Sequence, residues 1–260
     1  MISEVPTEPG WIDRLEPAGI AVGRAPSPNH GERRCGPTDI LLIHYTGMPD
    51  ADQALAWLRN PESGVSCHFF VFEDGRVVQL VSEERRAWHA GLSRWAGEAD
   101  VNSRSIGIEL ANPGHPAGSP PFPEAQIRSL VALCRTLVGR HPMPARKVLA
   151  HSDVAPGRKL DPGEIFPWDR LAAAGIGHWC APAPIGPGPS IGPADRGPDV
   201  ARLQALLALY GYGIAVTGAF DPATEAVVAA FQRHFRPARV DGVADPSTRA
   251  TLRRLLAALP

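Results

Sequence analysis

Between Ala181 and Pro198 the chain reads APAPIGPGPSIGPADRGP, a run in which proline and glycine alternate with small residues. Proline donates no backbone hydrogen bond and holds φ near one value, so such a run enters neither a helix interior nor a central strand. It predicts an extended, partly stiff linker over 181–197. The chain then divides into a body over 1–180, which includes an N-terminal extension, and a smaller body over 198–260. A length of 260 residues leaves room for both to bury a core.

Ahead of the linker, short apolar runs alternate with helical patterns. Ile40 to Tyr45, His68 to Phe72, Val77 to Val81, Ser105 to Leu110 and Val148 to Ala150 read as strands; Ala51 to Arg59 and Glu124 to Arg140 read as helices. In the longer helix Ile127, Leu130, Val131, Leu133, Cys134, Leu137 and Val138 recur at helical spacing. Glu73-Asp74-Gly75-Arg76 supplies turn chemistry between two half-buried runs, which predicts a hairpin. The economical architecture is α/β (α+β), a mixed central β-sheet flanked by helices. Past the linker the pattern is wholly helical, over Asp199 to Leu209, Pro222 to Phe235 and Pro246 to Leu259, a small all-α three-helix domain. The last two helices are each introduced by G-x-x-D-P-x-T, at Gly218 to Thr224 and Gly242 to Thr248. Aspartate there suits the N-cap and proline the first turn.

Charge and composition exclude several classes. A formal net charge of −1 with 44% hydrophobic residues gives no basic footprint for nucleic acid and no signature of a disordered acidic chain. No apolar stretch is long enough to span a membrane. The start, MISEVPTEPGWIDRLEP, lacks a charged n-region followed by an apolar core, so a cytoplasmic protein is expected. Cys35, Cys67, Cys134 and Cys180 are scattered without a CxxC pair, which argues for reduced thiols rather than a disulfide framework. Nothing in the residues sets an oligomeric state.

The chemistry gathers in two places. His44 closes a strand in DILLIHYTG, and His151 and Asp161 stand in VLAHSDVAPGRKLDPGEIFPW. Two imidazoles and a carboxylate make the three protein ligands of a catalytic zinc, with a fourth position for water. Taken singly, each has a bland role: a strand end, a turn cap, a loop residue before proline. Zinc there lowers the pKa of water far below its bulk value, toward about 7, and polarises a carbonyl, which amide hydrolysis requires. Glu109 in NSRSIGIEL is the candidate general base. Because Ile106, Ile108 and Leu110 alternate with Gly107 and Glu109, the carboxylate shares its face with glycine rather than with the isoleucines. Lys159, two positions before Asp161, can set a cation beside a developing oxyanion.

The other histidines compete for these roles. His68 alternates among aromatics and reads as a satisfied structural residue, and His115 in NPGHP as an exposed loop. His89 and Trp88 in AWHAG suit the wall of a cleft; together with Asn102 they are the candidate substrate contacts.

The segments IHYTG, SCHFFVFEDGRVVQLV, AWHAG, NSRSIGIEL and AHSDVAPGRKLDPGEIFPW resemble the zinc-dependent N-acetylmuramoyl-L-alanine amidases of the type 2 family, which share a fold with phage amidases and peptidoglycan recognition proteins. The resemblance spans about Ile40 to Trp168. It implies zinc on His44, His151 and Asp161, Glu109 and Lys159 in catalytic positions, and cleavage of the amide between N-acetylmuramic acid and L-alanine. The C-terminal helices are similar to a three-helix peptidoglycan-binding module through DVARLQALLALYGY, TGAFDPATEAVVAAFQRHF and DGVADPSTRATL, although such faces also suit a purely structural or dimerising domain. The expected partner is therefore a muropeptide or peptidoglycan. Lacking a recognisable export signal, the chain is expected to recycle soluble muropeptides, including 1,6-anhydro forms, in the cytoplasm. The competing readings are an exported amidase acting in the periplasm or envelope on polymeric wall, a non-catalytic peptidoglycan sensor, and a metallopeptidase cutting within the stem peptide.

Overall fold

The computed structural model describes residues 9–259. Residues 1–8, which open the N-terminal extension and the stretch read for an export signal, lie outside the described residues. The chain divides into two compact units, one of residues 1–91 and 102–143, the other of residues 92–101 and 144–260.

In chain order the first unit carries β1 (Arg14–Leu15), β2 (Ile20–Arg24), β3 (His30–Glu32), β4 (Ile40–Tyr45), α1 (Ala51–Arg59), β5 (Phe69–Val71), β6 (Val77–Gln79) and β7 (Arg85–Ala87). After α2 (Val101–Arg104) it resumes with β8 (Ser105–Leu110) and α3 (Glu124–Arg140). Its sheet runs β1-β2-β6-β5-β8-β4, and β3 pairs with β7 in a separate antiparallel ribbon. The sheet is mixed: β8 lies parallel to β4 and to β5, while β5 and β6 form the antiparallel hairpin. At the hairpin tip Gly75 has φ +88, and Asp74 Oδ1 accepts the Arg76 N–H at 2.9 Å, the chemistry that the Asp-Gly pair predicts.

Strand β8 is covered on both faces, and Ile106 and Ile108 are fully buried. Helix α1 contributes Ala54 and Leu58 to an apolar cluster with Phe70, Phe72, Leu80 and Val81. Helix α3 buries Ile127, Leu130, Leu133, Cys134 and Leu137, with Val131 and Val138 at the half-buried margins of the same stripe. Truncating one of these leucines to alanine costs about 2–5 kcal/mol. Gln126, also buried, donates from Nε2 to the carbonyls of Val71 and Ala111 at 2.9 and 3.0 Å, so the helix is pinned to the ends of β5 and β8.

In the second unit β9 (Val148–Ala150) runs straight into α4 (His151–Val154), followed by α5 (Trp168–Ala173), α6 (Pro198–Tyr210), α7 (Pro222–Phe235) and α8 (Pro246–Ala257). Asp221 and Asp245 are N-caps: their carboxylates accept the N–H of Thr224 and Thr248 at 2.8 and 2.7 Å. The proline- and glycine-rich run is extended, yet it is fastened to α8. Ala183 receives a hydrogen bond on its carbonyl from Ser247 Oγ and gives one from its N–H to Thr251 Oγ1, and Ile191 pairs with Ala244 as an isolated bridge. Residues 92–101 belong to this unit because Trp95 is buried edge-on against Tyr210 and Tyr212, and the Ala96 N–H donates to Gly211 O at 2.7 Å.

Candidate metal centre

His44 lies near the end of β4 and Glu109 near the end of β8, and the two residues are register partners across the parallel pair. Register partners on adjacent parallel strands project to the same side, about 4.8 Å apart along the hydrogen-bonding direction. The alternation expected from the sequence sets Ser105, Gly107 and Glu109 on that side. Gly107 explains what the face is for: a Cβ there would stand 2.5 Å from His89 Nδ1, so only glycine lets the His89 ring lie down on the strand. The ring then spans two partners, with Nδ1 3.0 Å from His44 Nε2 and Nε2 3.2 Å from Ser105 Oγ. Of each such pair one atom donates and the other accepts, and the His89 tautomer links the two bonds.

The backbone beneath His89 is held by Asn102, whose Oδ1 accepts the N–H of His89 at 3.1 Å and of Ala90 at 2.8 Å. Its carbonyl oxygen thus shapes the AWHAG turn. Trp88 is half-buried and tied through its main chain to Ser66 in both directions, at 2.9 and 3.0 Å. His68 is structural, as expected. Its Nδ1 accepts the Gly107 N–H at 3.0 Å and its Nε2 lies 3.0 Å from Arg85 O, while burial, followed by the Arg33 guanidinium, pushes its pKa down to about 3. His115 corrects the sequence reading. It is half-buried rather than exposed, with Nδ1 2.8 Å from the Tyr45 hydroxyl, because Gly114 packs directly on the Tyr45 ring. Burial raises the Cys67 thiol well above its usual range, with the Glu109 carboxylate adding to the rise, so this cysteine is an inert core residue.

In the second unit, His151 opens α4 and is 3% exposed; Asp161 is 6% exposed. They meet through Nδ1 and Oδ2 at 2.9 Å, and the Asp161 carbonyl accepts the Ser152 N–H at 3.0 Å, so the loop carrying Asp161 is stitched to the helix carrying His151. Lys159 is half-buried in the turn after α4, where its N–H donates to Ala155 O at 3.1 Å. His44, His151 and Asp161 form a group that can hold a metal ion, one donor atom from each lying within 4.8 Å of the others. Two nitrogens and one carboxylate oxygen, all from buried residues, fit the donor preference and the three-ligand count of a catalytic zinc.

Sequence reasoning assigned His89 to a cleft wall and missed its bond to His44. The signal was present in the small residues Ser105 and Gly107 flanking one face of β8, which leave room for a ring.

Comparison with known proteins finds matches over both parts of the chain. A model of the N-acetylmuramoyl-L-alanine amidase family matches residues 34–164, and a model of a peptidoglycan binding domain matches residues 196–252. The chain is 40% identical over 234 residues to the N-acetylmuramoyl-L-alanine amidase AmiD of Escherichia coli (strain K12), covering 84% of this chain and 82% of that one. It is 34% identical over 187 residues to the 1,6-anhydro-N-acetylmuramyl-L-alanine amidase AmpD of Enterobacter cloacae, covering 64% of this chain and 92% of that one. Its fold is similar to AmiD from E. coli solved in complex with the substrate anhydro-N-acetylmuramic acid-L-Ala-D-γ-Glu-L-Lys, with a TM-score of 0.73, 38% identity, and 90% of this chain and 91% of that one covered.

Proposed function

The chain belongs to the N-acetylmuramoyl-L-alanine amidase family, and on that premise we propose that it uses zinc to hydrolyse the amide between N-acetylmuramic acid, including its 1,6-anhydro form, and L-alanine in peptidoglycan fragments. The observation that carries the reading is the donor group of His44, His151 and Asp161, with Glu109 beside His44 in register. Held by those three residues, zinc would supply an electrophile for the scissile carbonyl and a lowered pKa for water.

The remaining roles fall to the chain itself. Glu109 takes a proton from the attacking water and returns it to the departing α-amine of L-alanine, since a neutral amine is a far better leaving group than an amide anion. Lys159 sets a positive charge against the oxygen that gains charge as the carbonyl becomes tetrahedral. His89 orients the His44 ring, and its half-buried edge, with Trp88, lines the approach of substrate; Asn102 fixes the turn that carries both. Because the relatives include 1,6-anhydro-N-acetylmuramyl-L-alanine amidases and a complex with an anhydromuramyl peptide, soluble anhydro-muropeptides are the substrate we assign, in cell-wall recycling. We place that work in the cytoplasm, where scattered thiols such as Cys35 and Cys180 stay reduced. Among the described residues no helix is long and apolar enough to cross a membrane.

The peptidoglycan binding domain match over 196–252 favours a second reading, action on polymeric wall in the envelope. Under either reading we assign residues 1–180 to catalysis, 181–197 to connection and 198–260 to binding wall material. Mass spectrometry of products from a defined 1,6-anhydro-muropeptide and from intact sacculi, with zinc and after chelation, tests both. Free stem peptide beginning with L-alanine, lost on chelation, is the expected product. Faster release from sacculi would move the enzyme to wall turnover, cleavage within the stem peptide would make it a peptidase, and intact substrate in every tube would make it a sensor.

A further inference from the structure

The C-terminal helices reach the segment that carries His151. Asp153 stands two residues after His151 in α4 and is fully buried. Its carboxylate accepts three hydrogen bonds: from the Ala150 N–H to Oδ2 at 2.8 Å, from the Tyr212 hydroxyl to Oδ1 at 2.7 Å, and from His234 Nδ1 to Oδ2 at 2.6 Å. The first is local and ties the start of α4 to its own third residue. The other two come from α7 and from the turn after α6, 81 and 59 positions away in sequence. Both donors are themselves fixed. His234 is stacked between Trp168 at 3.7 Å and Phe235 at 3.8 Å, and Tyr212 packs edge-on against Trp95 and Phe231. Helix α4 has only four residues, too few to hold its own geometry, so its orientation is set by what grips it. A buried carboxylate with three directed donors is such a grip.

We propose that Tyr212 and His234 are positioning residues for the metal ligand His151, acting through Asp153, so that the C-terminal helical region is part of the scaffold of the metal centre as well as a binding module. This rests on the zinc reading given above. A wall-targeting appendage alone has no need of two side chains buried against α4; a scaffold does. A ligand held by such outer partners loses metal affinity when they are removed, about tenfold or more for each.

The test is zinc affinity, measured by competition with a chromophoric chelator on the full-length protein, for Tyr212→Phe, His234→Leu and His234→Asn. A fourth variant, Gln232→Ala, lowers stability within α7 without touching Asp153. Tyr212→Phe and His234→Leu are expected to weaken zinc binding at least tenfold, while His234→Asn, which keeps a donor near the Nδ1 position, recovers much of the loss. Gln232→Ala should lower Tm and leave zinc affinity unchanged. Zinc affinity within twofold of wild type in Tyr212→Phe and His234→Leu, whatever their Tm, would overturn the proposal and leave the two residues as packing. Should the His234 variants fail to fold, Tyr212→Phe, which removes a single oxygen, decides alone. Wild-type protein that takes up no zinc would instead overturn the zinc reading itself, and this inference with it.

Discussion

The imidazoles of His44 and His89 meet edge to face, with Nε2 of the first 3.0 Å from Nδ1 of the second. His89 is anchored in turn by Ser105 Oγ, by the amide clamp of Asn102 and by the absence of a side chain at Gly107. A metal-binding histidine needs its ring orientation fixed by an outer partner, and under the zinc reading proposed above His89 does that for His44. Replacing His89 with alanine is expected to weaken zinc binding about tenfold to hundredfold and to lower kcat/KM at limiting zinc. Zinc titration alongside steady-state kinetics separates the two roles given to His89. A rise in KM with unchanged zinc affinity would assign it wholly to substrate contact.

Glu109 faces the same side of the sheet as His44 and is the carboxylate assigned to proton transfer. Glu109→Gln preserves size and hydrogen-bonding capacity but removes the base. Zinc content should stay at the wild-type level while kcat falls by about 10²–10⁴. His44→Ala and Asp161→Ala should lose zinc and turnover together, and chelated wild-type enzyme should recover on adding zinc. Near-normal kcat in Glu109→Gln would remove the residue from the mechanism.

What the sequence revealed follows from what is local. Strand β4 stood out as the unbroken apolar run Ile40 to Ile43, strand β8 and helices α1 and α3 because their apolar residues repeat at the period of the element, and the hairpin because Asp74-Gly75 carries its own turn. Strands β3 and β7 did not, because His30–Glu32 and Arg85–Ala87 have no apolar alternation; they are strands only by virtue of pairing with each other. The proline-rich run was legible as extended, but its hydrogen bonds to α8 depend on Ser247 and Thr251, more than sixty positions away from Ala183. The candidate ligands His44, His151 and Asp161 were legible only as a set, since each alone has a bland role, and the fold brings one donor atom of each within 4.8 Å of the others. Asp153 was not, since its partners Tyr212 and His234 become its neighbours only when the chain has folded.

His68 makes a pH-dependent contribution to stability whose sign is fixed by its burial. Its folded pKa lies near 3, below the ordinary value of 6.5, first because burial disfavours the charged ring and next because of the Arg33 guanidinium. Between those values the unfolded chain binds a proton that the folded chain does not. Stability from this group is therefore complete above pH 6.5 and declines as pH falls toward 3, with a slope of up to about 1.4 kcal/mol per unit. Tm measured from pH 7 to pH 4.5 should fall. In His68→Gln, which has no proton to gain, the fall should be shallower although the starting Tm is lower. Parallel curves for the two proteins would show that His68 is not the group responsible.

Gln204 in α6 and Gln232 in α7 are both fully buried and do the same work in successive helices. The Gln204 side chain accepts from the N–H groups of Thr217 and Gly218 and donates to Thr224 Oγ1. The Gln232 side chain accepts from those of Asp241 and Gly242 and donates to Thr248 Oγ1. Each glutamine thus fastens one G-x-x-D-P-x-T turn, and the internal echo seen in the sequence extends to the residue that reads it. Alanine at either position leaves two turn amides without their acceptor and a hydroxyl without its donor, a loss of about 1–3 kcal/mol. Glutamate keeps the acceptor and loses the donor to threonine, at the further cost of a buried charge, so it should be worse than alanine. Urea unfolding of Gln204→Ala, Gln232→Ala and the two glutamate variants checks the order. A change below about 0.5 kcal/mol in either alanine variant would show that water reaches the turn and replaces the side chain.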